Sequence, residues 1–383
     1  MRIGCVKCLL VAVFSFFSAF VFAQGEPGEG DKTEKESFDA DEVIFGHVLD
    51  AHEFHFFSYK GSDGKEHAAI LSLPVILYSP QKGFSFFMSS KFHEGEKTYK
   101  GYALLTKEKI DKLHLDTQKY HAGQIVAVND NGGVSTSNVY DFSLTRNVVQ
   151  MIIALGLLIW VMLSIAKRYR KGEGVTSAPK GAQSLMEPVI NFIKDEVAKP
   201  NLGHKYQKYL PYILTVFFFI LINNLVGLIP GTANVTGNIA FTMVLAVISF
   251  IVILFSSNKH YWGHIVNPPV PVGIKPILII VEFLGVFTKP FALMIRLFAN
   301  MIAGHIIIIC LVSLIFIFGA MSKAAGWGFS PLSVAFVIFI YFIEILVGFL
   351  QAYIFANLTA VFVGQAFEGS HDDVDHHEDI AIV

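Results

Sequence analysis

From residue 276 to 319, and again from 331 to 364, the chain runs almost without charge. Each stretch exceeds the ~20 apolar residues that carry a helix across a bilayer. Three shorter apolar runs precede them, at 148–166, 209–229 and 237–255. Five such segments predict an all-α polytopic membrane protein with five spans, the last two long and tilted. Composition agrees, with 53% apolar and 16% charged residues and 36 phenylalanines among 383 residues. A formal charge of −2 offers nothing to nucleic acid. The three cysteines, Cys5, Cys8 and Cys310, support neither a disulfide framework nor a metal cluster.

The N-terminus reads as a signal peptide over 1–23: Arg2 and Lys7, the apolar run Leu9 to Phe22, then Val21-Phe22-Ala23 before Gln24. An uncleaved anchor helix is the alternative, and either one exports the residues after Ala23. Residues 24–37, rich in Gly, Glu and Lys, are expected to be disordered at the start of an exported region, 24–145. From about Phe38 to Tyr140 short runs such as Ala69 to Tyr78 alternate with turn signals at Gly61-Ser62-Asp63-Gly64 and Asn129 to Gly133. That pattern predicts a small, mostly β periplasmic domain. Its histidines, among them His47, His52 and His55, lack tight ligand spacing, so scattered surface histidines are expected rather than a metal site.

The membrane domain is expected over 146–368. Lys167-Arg168-Tyr169-Arg170-Lys171 after the first span reads as cytoplasmic, so that span runs outward to inward. Residues 172–208 then include an amphipathic piece, Met186 to Val197. The second and third spans form a hairpin over Pro230 to Thr236, and Lys259, His260 and Lys275 bring the chain back inside. Lys289-Pro290 is expected to divide the next segment into a short piece, 276–288, and a helix, 290–319. A polar bend from Met321 to Ser330 then leads from Pro331 into a second long helix ending near Gly364. Thirty residues rise roughly 45 Å against a ~30 Å core, which requires tilt. The tail, 369–383, is expected to be polar, solvated and cytoplasmic.

Arg296, His305 and Glu344 interrupt the two long helices, and Glu282 the piece before them. An arginine in a span costs at least ~2.5–3.5 kcal/mol and normally marks a pathway or an ion pair. Snorkelling to the headgroups is the bland alternative, because Arg296 follows Pro290 by six residues. Ala292, Arg296, Ala299, Asn300 and Ala303 share one helical stripe, where small residues let another helix come close. Helix packing alone also wants such a stripe. Glu344, Gly348, Gln351 and Ala352 form a second one. Placed antiparallel at 1.5 Å per residue, Arg296 lies roughly 9 Å from the cytoplasmic end, Asn300 and Gln351 about 15 Å, His305 about 22 Å and Glu344 about 25 Å. Glu344 is therefore expected level with His305, and Gln351 with Arg296 and Asn300. His305 falls about 180° round the helix from Arg296. Two polar stations at different depths, offset around a helix, suit two non-continuous water paths.

The string Arg296-Leu297-Phe298-Ala299-Asn300-Met301-Ile302-Ala303-Gly304-His305 closely resembles the signature of F-type ATP synthase subunit a in bacteria. Glu282, Lys289-Pro290, Gln351 seven residues after Glu344, and the Asn224 to Pro230 turn with Thr232 to Thr236 are similar too. The likeness covers about 185–368. It implies that Arg296 attracts an ionised carboxylate of the rotor ring, flanked by Asn300 and Gln351. His305 and Glu344 would form the polar pair of the periplasmic half-channel, and Glu282 the acid of the cytoplasmic one. Gly285, Ala292 and Gly227 stand where some relatives carry further polar groups, so the water path departs from theirs. The implied partners are a ring of small two-helix subunits, a peripheral stalk subunit, lipid and, through the complex, a soluble ATP-synthesising head. The implied site is an inner membrane. No cofactor is implied. The sequence lacks a phosphate loop, a zinc pattern and a Gly-x-Ser-x-Gly elbow, so ATP chemistry is expected in partner chains.

Two rival readings remain. A secondary transporter would show inverted repeats or broken helices in both halves, and only Lys289-Pro290 marks a break. An anchored exported sensor would suit the β-like region, yet would not need ionisable residues at matched depths.

Overall fold

The computed structural model describes residues 50–367, apart from short stretches at 61–65, 96, 117–119, 122, 130–132, 136–137, 174–178, 180, 230–231, 268–269 and 272. The expected signal peptide, the segment 24–37 and the polar tail lie outside the described residues, as does His47.

The first part is a set of small antiparallel sheets. Strands β1 (Glu53–Lys60) and β2 (Glu66–Ser72) pair with each other. Strand β3 (Pro74–Ser79) lies between β4 (Gly83–Met88) and the two-residue β7 (Tyr140–Asp141). β5 (Tyr102–Leu104) pairs with β6 (Ile125–Ala127), and the short helix α1 (Lys107–Lys112) is capped by Thr106, whose side chain accepts from the N–H of Lys109. The alternation along β3 buries Val75 and Leu77, which pack with Phe87, Phe92 and Tyr102. The β region expected from the turn signals is present, including the strand forecast around Ala69 to Tyr78, split at Leu73 into β2 and β3.

Among the described residues, five helices are long and apolar enough to cross a membrane. They are α2 (Arg146–Arg170), α4 (Tyr206–Gly227) with the helical segment leading into it, α5 (Ile239–Ser256), α7 (Lys275–Met321) and α8 (Lys323–Phe367). The amphipathic α3 (Ala182–Phe192) and the π-helical turn Ile193–Ala198 come before α4, and the short α6 (Lys259–Val266) lies between α5 and α7. The core is built by α4, α7 and α8: Ile213, Phe217 and Ile220 meet Leu293, Leu297, Met301, Ala352, Phe355 and Ala356. The π turn adds Ile193, Val197 and Ala198 to it, so the predicted amphipathic piece does bury its apolar side.

Two boundaries differ from the sequence expectation. Lys289-Pro290 does not divide its segment: α7 runs unbroken from Lys275 to Met321, with Pro290 inside it. Proline removes one intrahelical bond. Neighbouring elements hold the helix through that gap: Lys289 donates to Gln365 of α8 (3.1 Å) and lies over the Phe362 ring, and Phe287 packs against Phe250 of α5. Likewise the bend expected over Met321 to Ser330 contracts to Ser322, and α8 starts at Lys323 with Pro331 inside it. Gly319 and Gly326 explain the tight turn. A Cβ on Gly326 would stand 2.7 Å from the Cα of Gly319, so only glycine lets the helices pass this close to their junction.

Candidate functional site

The hairpin of α7 and α8 sets the site, and its register holds to within a few residues from the turn to Gly304. After the Gly319–Gly326 approach, the Ser333 hydroxyl donates to the Leu311 carbonyl (2.5 Å), Glu344 lies against Gly304, and Lys289 reaches Gln365 near the far end. The sequence count placed Glu344 level with His305, and the contact falls on the neighbouring residue. A Cβ on Gly304 would come within 2.5 Å of the Glu344 Oε1. Gly304 is thus the gap in α7 that admits the carboxyl group.

Glu344 is 4% exposed, and neither of its carboxyl oxygens has a hydrogen-bond partner within the described residues. One turn on, Gly348 meets α4. The Asn224 amide donates to the Gly348 carbonyl (2.9 Å), and a Cβ at 348 would sit 3.3 Å from the Asn224 Cβ. Gln351 and Ala352 are buried on the same stripe. The stripe of α8 therefore faces inward, against α4 and α7. Asn223 and Asn224 are fully buried, and each leaves its side-chain carbonyl oxygen without a partner among the described residues. His305 is half-buried.

The other stripe behaves in the opposite way. Leu293, Met294, Leu297 and Met301 turn one side of α7 to the core. Ala292, Ile295, Arg296, Ala299, Asn300, Ala303 and Ile307 are exposed along the other side. Arg296 makes no hydrogen bond or ion pair with any described residue. No hydrogen bond joins Arg296 to Gln351, the first exposed and the second buried, and the hairpin register leaves them at similar depth. Asn300 stays on the arginine's side, one turn along.

Glu282 lies far from that pair, fourteen residues or ~21 Å before Arg296 along α7. It is half-buried beside α6. Burial, and behind it the Glu282 charge, pushes the hydroxyl of Tyr261 on α6 above its ordinary value.

Three positioning contacts have no marker in the local sequence pattern. Gln150 of α2 clamps the loop between α4 and α5: its amide donates to the Ala233 carbonyl (2.5 Å), and its side-chain oxygen accepts from the Ala233 N–H (2.6 Å). Asn234 donates to the Met301 carbonyl (3.1 Å) and accepts from the Gly237 N–H, which pins the loop to α7 beside Gly304. Asn258 caps the end of α8, its backbone N–H bonding the Ala366 carbonyl and its amide the Phe367 carbonyl, both at 2.9 Å. The one signal they offer is an uncharged amide within or beside an apolar span, which is costly unless it is bonded. Among the described residues no cluster of His, Cys, Asp and Glu is placed to hold a metal. His52 instead pairs with Asp141 (2.9 Å).

The family model described as ATP synthase A chain matches residues 148–364. A second model, a domain of unknown function, matches residues 43–142. An ATP synthase subunit a from Chloroherpeton thalassium is 47% identical over 239 residues, 61% of this chain and 69% of its own length. An ATP synthase subunit a 2 from Chlorobaculum tepidum is 46% identical over 244 residues, 62% of this chain and 67% of its own. A more distant relative, ATP synthase subunit a from Myxococcus xanthus, is 39% identical over 246 residues, covering 62% and 78%.

Proposed function

Because the chain belongs to the ATP synthase A chain family, as subunit a of the membrane sector, we propose that it supplies two offset proton half-channels and the arginine that couples proton flow to rotation of a ring of small subunits. The observation that carries the proposal is the exposed stripe of α7. A guanidinium there, flanked by Ala292, Ala299 and Ala303, has no partner within the described residues of its own chain. A cation facing hydrocarbon is costly, so the stripe calls for an acidic partner on another chain. The small residues let that chain come close.

In this mechanism a ring carboxylate must be neutral to face lipid, because the ionised form is too costly there. A proton enters past Glu344 and His305 at the turn-side half of the hairpin and neutralises the carboxylate, and the ring turns. On reaching Arg296 the ring carboxyl meets a fixed cation, which favours its ionised form. Its proton then leaves past Glu282. Arg296 also separates the two paths, because a fixed positive charge repels a hopping proton. Asn300 flanks it on the same face. Gln351, buried at similar depth on α8, flanks it from the neighbouring helix. Each charge crossing 100 mV supplies ~2.3 kcal/mol, delivered as torque to the soluble head where ATP is made.

The same reading puts the exported region, 24–145, in the periplasm behind a signal peptide, 1–23, and the C-terminus in the cytoplasm. The Lys167 to Lys171 cluster after α2 supports that orientation in a bacterial inner membrane. A peripheral stalk subunit completes the stator.

Arg296→Lys tests the proposal. Lysine keeps the charge but loses the planar fork, and it gives up its proton when desolvated. The variant complex should assemble in normal amounts, and ATP-driven acidification of inverted membrane vesicles should be abolished. Wild-type pumping would overturn the assignment.

A further inference from the structure

The outward face of the sheet β4-β3-β7 is apolar, like the centre of its inward face. Its inward positions, Val75, Leu77 and Phe87, are buried in the core of the β region. Its outward positions are Tyr78 on β3, Phe84, Phe86 and Met88 on β4, and Tyr140 on β7, with Phe142 one step beyond. Phe84 is 77% exposed, Phe86 65%, Phe142 63% and Tyr140 51%. An antiparallel sheet with one face in water ordinarily places polar residues there. Here the outward set is apolar instead. The outer set is also clustered: Tyr78 lies 4.9 Å from Phe84 and 6.3 Å from Tyr140 between ring centres. Contiguous exposed apolar surface of this kind marks a contact.

We propose that this face rests on the headgroup and acyl boundary of the bilayer that α2 enters. Three observations point to lipid. The sheet is fastened at the mouth of the span: the Leu144 N–H bonds the Pro74 carbonyl of β3 (3.3 Å), the Ile76 N–H bonds the Ser143 hydroxyl (3.0 Å), and the Arg146 N–H at the start of α2 bonds the Ala51 carbonyl (2.9 Å). Three residues lie between Phe142 and Arg146, four steps along the chain with a reach of at most ~14 Å. Apolar exposure then continues into the span itself at Ile152, Ile153 and Leu155 of α2. The chemistry also fits, because Tyr78 and Tyr140 can hold phenols at headgroup level while the phenylalanines reach below it.

The test uses the whole ATP synthase complex in vesicles of phosphatidylethanolamine and phosphatidylglycerol. A nitroxide is attached at Phe86→Cys, with Cys5, Cys8 and Cys310 replaced by serine, and a control label is placed at the exposed Lys91. The label at 86 should be reached several-fold better by oxygen than by a water-soluble nickel chelate, and the control the reverse. Chelate access at 86 equal to the control overturns the proposal in favour of open solvent. Shielding from both reagents overturns it in favour of a protein cover, either another subunit or the residues before Asp50. The unmodified chain gives a second reading, free of any folding defect in the variant. A phospholipid carrying a diazirine near its headgroup should leave adducts on residues 84–88 and 140–142, and adducts confined to the spanning helices would sink the idea.

Discussion

At the scale of single residues, the contrast between Glu344 and Arg296 is one of surroundings. Both are ionisable groups on long apolar helices, yet Glu344 is buried and Arg296 exposed. Glu344 is enclosed because Gly304 opposite has no side chain. Arg296 is open because its neighbours at one helical turn are alanines and an asparagine on an exposed face. Removing the titrating group of Glu344 while keeping its shape should therefore affect proton entry far more than packing. Glu344→Gln is expected to assemble normally and to slow passive proton flux through membranes stripped of the soluble head by at least tenfold, a barrier rise of about 1.4 kcal/mol. Flux at the wild-type rate would remove Glu344 from the path.

The spanning elements are held together by backbone groups satisfied from a distance, in a setting where water does not compensate a lost partner. Gln150 is the clearest case, since one side chain serves both the N–H and the C=O of the fully buried Ala233. Gln150→Leu keeps the volume and strands both groups, each at a cost of ~1–3 kcal/mol. The thermal midpoint of the purified complex should fall, and an unchanged midpoint would mean that the loop finds other partners. The same loop carries Asn234 to Met301, three residues before Gly304. The variant is therefore also expected to lower ATP-driven pumping while leaving ATP hydrolysis by the head intact.

At the scale of the whole molecule, the joint between the β region and the first span carries a titratable contact, His52 with Asp141. Asp141 accepts from His52 (2.9 Å) and from the Ser143 N–H (2.8 Å). Burial alone would raise its carboxyl, but these bonds and the His52 charge outweigh burial and hold it below the ordinary value. A depressed folded value means that the contribution is present above the ordinary carboxyl range, near 4, and is lost as pH falls through the lower folded value. Proteolysis of vesicle-embedded chain between Asp141 and Arg146 should accelerate below about pH 4. Asp141→Asn should cleave faster at neutral pH and show little further acid dependence. A wild-type acid profile in that variant would assign the effect to other carboxylates.

Much of this architecture is legible in the residues alone, and the reasons are physical. Length and apolarity pick out the five candidate spans found among the described residues, because a helix needs about twenty apolar residues to cross a bilayer. The intramembrane charges single out Arg296, Glu344, His305 and Glu282 because each is expensive where it stands. Depth along a helix follows from a constant rise of 1.5 Å, which is why Glu344 meets Gly304 beside His305. Proline misleads: Pro290 and Pro331 both lie within continuous helices, because contacts such as Lys289 to Gln365 stabilise what local propensity disfavours. Tertiary structure alone decides which stripe is turned inward. Periodicity puts residues on a shared face but does not say what lies opposite, and two stripes of similar composition are buried on α8 and exposed on α7. Amide clamps such as Gln150 to Ala233 are equally out of reach, since they join residues far apart in sequence by geometry that no local pattern encodes.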